Sequence, residues 1–214
     1  MNPKVKNILE WCYCIVIAIV LALLVRCFIG TPTIVKQRSM YPTLKPDQRL
    51  ILNRLAITFH SDLKKGEIIT FEAPSEAHID IDKADMSNPV AKYDGGPKSI
   101  LGKFAYYVLE VTKTTYIKRV IGLPGDHVEI KNNKVYINGE KLKEDYLDSS
   151  VVTTPCDGAF TDLIVPEGYI YVLGDNRPQS TDSRSFGCIP IDKVEGKVAF
   201  RFWPLNTFGN PDKK

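Results

Sequence analysis

Fifteen consecutive residues, Trp11–Val25, contain neither a charge nor a proline. Arg26 interrupts the run, and Cys27, Phe28 and Ile29 extend it, so Trp11–Ile29 is a stretch of 19 residues. As a helix it would be about 28 Å long at the usual rise, close to the ~30 Å thickness of a bilayer's hydrocarbon core. A helix buried in a soluble core would show a polar stripe, and this one shows none. A cleaved leader needs small residues at an A-x-A-like site, but Val25 is followed by R-C-F-I-G-T-P-T. Arg26 directly before Cys27 also opposes a lipoprotein signal. The expected reading is an uncleaved membrane anchor at 11–29, with Arg26 snorkelling to the headgroups. Residues 1–10 would be a short cytoplasmic N-terminus and 30–214 an extracytoplasmic domain. Lys4 and Lys6 precede the run while Lys36 and Arg38 follow it, so charge alone does not fix the orientation.

The rest of the composition is that of a folded domain. Of 214 residues, 44% are hydrophobic and 25% charged, which excludes general disorder. A mean hydropathy of −0.11 excludes several membrane spans. Without Lys4, Lys6, Arg26 and Glu10, the chain carries 25 basic and 24 acidic residues. That balance does not suit a nucleic-acid partner. The three histidines, at 60, 78 and 127, have no metal-ligand spacing, and there is no C-x-x-C pair or glycine-rich phosphate loop. No metal and no cofactor are expected.

Beyond the anchor the pattern is mostly β. Arg49–Asn53, Glu67–Phe71, Tyr116–Ile121, Tyr169–Leu173 and Lys197–Trp203 read as strands. Val128 and Ile130 alternate against Val135 and Ile137 across Asn132-Asn133, a pair that tolerates positive φ and predicts a hairpin. Asn138-Gly139 marks a second turn. Residues 73–113 form a polar excursion of unassigned role, within which Ile100–Glu110 reads as a short helix or a strand. With no βαβ rhythm, the expected fold is an antiparallel β-sheet domain behind a transmembrane helix.

Ser39 lies in Val35-Lys-Gln-Arg-Ser-Met-Tyr-Pro-Thr-Leu44, where Pro42 stiffens a turn. In the strand around Lys118, alternation puts Tyr116, Lys118 and Val120 on one face and Arg119 on the other. An inward lysine is unusual unless it is paired or functional. Singly, each has an ordinary reading: a turn serine and an edge lysine.

Together, S39-M-Y-P-T-L44, Y116-I-K-R-V-I-G-L-P-G-D126 and Y171-V-L-G-D-N-R-P-Q-S-T-D-S-R184 resemble the boxes of the bacterial type I signal peptidases, in family order behind an N-terminal anchor. The resemblance covers most of the chain except 73–113 and 144–165. It implies a membrane-anchored serine endopeptidase with a Ser–Lys dyad, Ser39 as nucleophile and Lys118 as general base. A lysine can take the serine proton only when neutral, and its ordinary pKa is about 10.4. Lowering it by about three units costs roughly 4 kcal/mol, which burial must supply.

Further roles follow from the same resemblance. Ser180 would orient the base lysine, Asp182 and Arg184 would stiffen its loop, Gly174 and Asp175 would form a supporting turn, and Tyr116 would line the site. The family usually places Ser or Gly two residues before the nucleophile, whereas this chain has Gln37. That leaves open whether the Gln37 amide or only the Ser39 backbone N–H donates to an oxyanion.

The implied partners are signal peptides of exported preproteins, cut after small residues at −1 and −3, together with the lipid bilayer and the secretion translocon. The peptide would lie extended along strand edges, with Met40 and Tyr41 beside it. Met40, Tyr41 and Trp203 are also expected to help rest the domain on the bilayer. Cys156 and Cys188 fall in a compartment that permits a disulfide, and the sequence leaves their pairing open. Alternatives are an inactive anchored binding module, which would lack Ser39 or Lys118, and a self-cleaving regulator, which would lack the anchor. A sortase is opposed because no histidine accompanies Cys156 near the late strands.

Overall fold

The computed structural model describes residues 3–55, 62–108, 110, 113–155 and 159–211. Helix α1, Pro3–Leu24, is followed by a widened helical turn, Val25–Ile29. The helix begins well before Trp11, because Lys4, Lys6 and Glu10 are good helix formers and Lys6 and Glu10 pair across one turn at 4.0 Å. Lys4–Leu24 is long and apolar enough to cross a membrane, with a mean hydropathy of 2.3, and none of it is buried against the protein. Its apolar side chains point outward on every side, which excludes a soluble-core helix.

Eleven strands follow among the described residues: β1 Gly30–Ile34, β2 Arg49–Asn53, β3 Ile68–Glu72, β4 Thr115–Gly122, β5 His127–Lys131, β6 Lys134–Ile137, β7 Glu140–Lys141, β8 Asp162–Ile164, β9 Tyr169–Leu173, β10 Ile189–Pro190 and β11 Val194–Trp203. One antiparallel sheet has the order β1-β2-β11-β3-β4-β9-β10, and a second has the order β7-β6-β5-β8. The domain is therefore mostly antiparallel β, as expected. The hairpin forms in the expected register, with Val128 opposite Ile137 and Ile130 opposite Val135. Asn132 and Asn133 take φ of 50° and 60°.

β1 had no counterpart in the sequence reading. Pro32 disguises it, yet Pro32 is tolerated because β1 is the outermost strand and pairs only with β2. β11 starts three residues earlier than expected, and bulges let it pair with β2 on one side and β3 on the other. Every residue of β3 is buried, since its neighbours are β11 and β4.

Three apolar clusters hold these elements. Ile121, Val128, Val135, Phe160 and Tyr171 join the small sheet to the large one. Ile69, Phe71, Val120, Val172 and Phe186 pack one face of β3, β4 and β9. Val35, Met40, Leu44, Leu50 and Ile68 fix the segment between β1 and β2. Met40 is 1% exposed, so its expected bilayer contact is corrected: its side chain is the plug that seats the Ser39 turn. Tyr41 and Trp203 remain about half exposed.

Candidate active site

β4 carries Lys118 in the centre of the large sheet, opposite Ile69 of β3. The turn after β1 carries Ser39 to the same place. Lys118 Nζ lies 2.8 Å from Ser39 Oγ, and the contact is buried. Only 1% of Lys118 and 9% of Ser39 is exposed. Burial pushes the Lys118 amine down to about 8, with Arg184 adding to the fall while the Asp182 and Asp175 carboxylates pull the other way. The Tyr116 ring, 5.2 Å from Nζ at its centroid, covers the amine from one side. An amine held this way is neutral in a useful fraction near neutral pH and can accept a hydroxyl proton at hydrogen-bond distance.

The loop after β9 locks the serine in place. The Asn176 backbone N–H donates to the Ser39 carbonyl at 2.9 Å, and the Asn176 side-chain amide donates to the Arg38 carbonyl at 3.1 Å. Gly174 leaves room for this approach: a Cβ there would stand 2.1 Å from Ser180 Oγ and 2.5 Å from the Ser39 carbonyl oxygen. Ser180 Oγ is thus packed beside the Ser39 turn, buried and without a hydrogen-bond partner among the described residues, so the expected bond from it to Lys118 is not formed. Gln37 is exposed on the lip of the cleft beside Ser39.

Three buried arginines brace the loop. Arg184 bonds both Asp182 carboxylate oxygens, at 2.8 and 2.9 Å, and also donates to the Arg177 carbonyl. Asp182 in turn accepts from the Gly174 N–H at 3.1 Å. Arg119 forks onto Asp175 at 2.9 and 2.7 Å. Arg177 donates to the Gly174 carbonyl, Glu144 and Thr153. Sequence reasoning placed Asp175 only as a turn former. It missed Glu144, Thr153 and Tyr146, whose ring lies 3.9 Å from the Arg119 guanidinium. Sequence patterns could not find them, because Glu144 is 33 residues from its partner Arg177.

A cleft of about 450 Å³ opens on Ser39. The outer edge of β1 and the segment Thr114, Thr115 and Ile117 form two of its sides, and Arg26, Arg54 and Glu110 lie among its lining residues. Glu110 bridges Arg54 at 2.6 Å and Arg26 at 3.3 Å. Among the described residues no cluster of His, Cys, Asp and Glu could hold a metal. Cys188 is a buried free thiol, and Cys156 lies outside the described residues.

A β-sheet domain with a buried lysine against a turn serine, behind an apolar helix, defines a class of hydrolase. Residues 8–203 match the family model "Signal peptidase, peptidase S26", and the chain belongs to that family. It is 37% identical over 216 residues to signal peptidase IB of Staphylococcus aureus (strain COL), covering 95% of this chain and 93% of that one. It is 34% identical to signal peptidase I T of Bacillus subtilis (strain 168), covering 96% and 90%. A solved signal peptidase I from Enterococcus faecalis V583 is 28% identical, covering 65% of this chain and 98% of that one, with a TM-score of 0.40. The chain is therefore a signal peptidase of the S26 peptidase family.

Proposed function

We propose that Ser39 is the nucleophile and neutral Lys118 the general base of this peptidase. The contact of 2.8 Å between a buried amine and a turn hydroxyl carries the proposal. Ser39 Oγ attacks the scissile carbonyl as its proton passes to Lys118 Nζ. The lysinium then protonates the departing amine, and a water activated by the same lysine hydrolyses the acyl-enzyme. The Ser39 N–H is one oxyanion donor and the exposed Gln37 amide the second. Ser180, whose buried hydroxyl makes no hydrogen bond among the described residues of the resting fold, would turn onto the Lys118 amine to orient it when substrate is bound. Asp182 and Arg184 hold the loop that presents it, and Tyr116 keeps the amine dry.

The substrate lies extended in the cleft between the β1 edge and Thr114–Ile117, adding its backbone to unpaired strand groups. Met40, which lines the cleft floor, and Tyr41 border the segment that holds the small side chains at −1 and −3. Helix α1 spans the membrane with the β domain on the extracytoplasmic side, where precursors emerge beside the translocon. The test is cleavage of an exported precursor in detergent by the wild type, Ser39→Ala and Lys118→Met. Loss of activity in both variants is expected; full activity in either refutes the dyad. A Gln37→Ala variant should lose about 10²-fold in kcat, and an unchanged rate removes its amide from the oxyanion site.

A further inference from the structure

The excursion ahead of β4 contains a helical turn that shows its apolar side chains to the outside. Ile100–Lys103 and Phe104–Val108 form one continuous winding. Ser99 caps its start by accepting from the Gly102 N–H at 3.0 Å. Ile100 is 87% exposed and Leu101 82%, and Phe104 and Tyr107 are about half exposed. Nothing among the described residues covers them, yet the turn is firmly tied down. Tyr106 Oη donates to Glu72 at 2.8 Å, and Lys113 lies 5.6 Å and 6.0 Å from the rings of Tyr106 and Tyr107. Two positions beyond the turn, Glu110 pairs with Arg26 at the end of the anchor.

We propose that this turn is a second membrane contact, seated at the headgroup–acyl boundary beside the end of α1. The inference rests on the reading of α1 as a membrane span. Three observations favour lipid over a protein partner. First, the Arg26–Glu110 pair ties the segment to the residue where the apolar helix meets the headgroups, so the turn lies near that level. Second, exposed apolar residues continue past the helix at Phe28, Ile29 and Ile34, on the stretch of chain that adjoins Arg26. Third, residues 95–108 contain Lys98 and Lys103 and no acid, the composition of an interfacial segment against anionic lipid, with tyrosines at its polar margin. Seated there, the turn would fix the height and tilt of the cleft, whose lining includes Arg26 and Glu110, over the membrane surface.

The test uses the full chain in vesicles of phosphatidylcholine and phosphatidylglycerol, the former brominated high on its acyl chains. Trp203→Phe keeps Trp11 as a reporter of the span, and Trp11→Phe/Trp203→Phe/Leu101→Trp reports the turn. Roughly twofold quenching of the Leu101→Trp emission is expected if the turn is at the interface. An unquenched Leu101→Trp emission beside a quenched Trp11 overturns the membrane contact and leaves the span standing. A blue-shifted but unquenched emission does the same and points to a protein cover. An unquenched Trp11 refutes the span, and the contact with it. In a second arm, Ile100→Glu/Leu101→Glu should cut a vesicle-inserted precursor several-fold more slowly than the wild type. The same variant should cleave a short peptide in detergent at the wild-type rate. Equal rates on the inserted precursor contradict the proposal.

Discussion

Lys118 bears opposed demands. The proposed base role needs it neutral near pH 7, whereas the fold would be more stable with an apolar side chain in its place. Its pKa falls from 10.5 in the unfolded chain to about 8 in the fold, a cost of about 3 kcal/mol at pH 7. The cost is full below pH 8, shrinks as pH rises from about 8 to 10.5, and is absent above. Stability from this group therefore rises with pH across that window. Lys118→Met should raise the thermal midpoint at pH 7 by several degrees, and the gain over wild type should vanish near pH 10.5; thermal unfolding at the two pH values checks it. Gly174 is the tightest position in the site. Gly174→Ala drives a Cβ into Ser180 Oγ and the Ser39 carbonyl, so kcat should fall by at least ~10²-fold through displacement of the nucleophile turn. Single-turnover kinetics measure it. The meeting of Ser39 with Lys118 and of Asp182 with Arg184 was legible through the family boxes, whereas the expected contact of Ser180 with Lys118 is not formed among the described residues. The depth of Lys118 was only half legible: alternation put it inward, but its depressed pKa comes from burial in the assembled fold, aided by Arg184 and opposed by Asp182 and Asp175.

At the scale of elements, β4 supplies Lys118, the β1–β2 connection supplies Ser39, and the loop after β9 clamps them together. A strap at 144–154 closes the clamp from outside. Glu144 and Thr153 take Arg177, Tyr146 stacks on Arg119, and the Thr154 carbonyl accepts from Arg184 at 3.0 Å. Glu144→Gln leaves the Arg177 guanidinium buried without its carboxylate, which should cost about 3 kcal/mol of stability. It should also lower kcat more than it changes KM, because Arg177 holds the Gly174 carbonyl. Denaturation and steady-state kinetics separate the two effects. The strap was invisible in the sequence because its contacts join residues far apart in the chain. β1 was hidden for a local reason: Pro32 looks like a strand breaker and is harmless only at an edge that pairs on one side. The hairpin at Asn132-Asn133 was fully legible, since both its alternation and its turn residues are local.

At the scale of the whole molecule, the apolar helix and the β domain meet where Arg26 reaches Glu110. Sequence alone separated the two parts but left the excursion at 73–113 unread, because its role depends on where its exposed side chains face. In the fold, Tyr106 of that excursion reaches Glu72 in the sheet and Glu110 pairs with Arg26 after the apolar helix. Glu110→Gln should weaken the joint and slow cleavage of membrane-inserted precursors more than cleavage of short peptides, as measured by the ratio of the two rates. The central claim, a buried neutral lysine activating Ser39, is tested most directly by the pH dependence of kcat/KM on a short signal-peptide substrate. The account predicts a rate that rises with pH through an apparent pKa of about 8, with no such limb in Lys118→Met. A limb near 10.4, the value of an ordinary exposed lysine, or an unchanged profile in Lys118→Met, would contradict it.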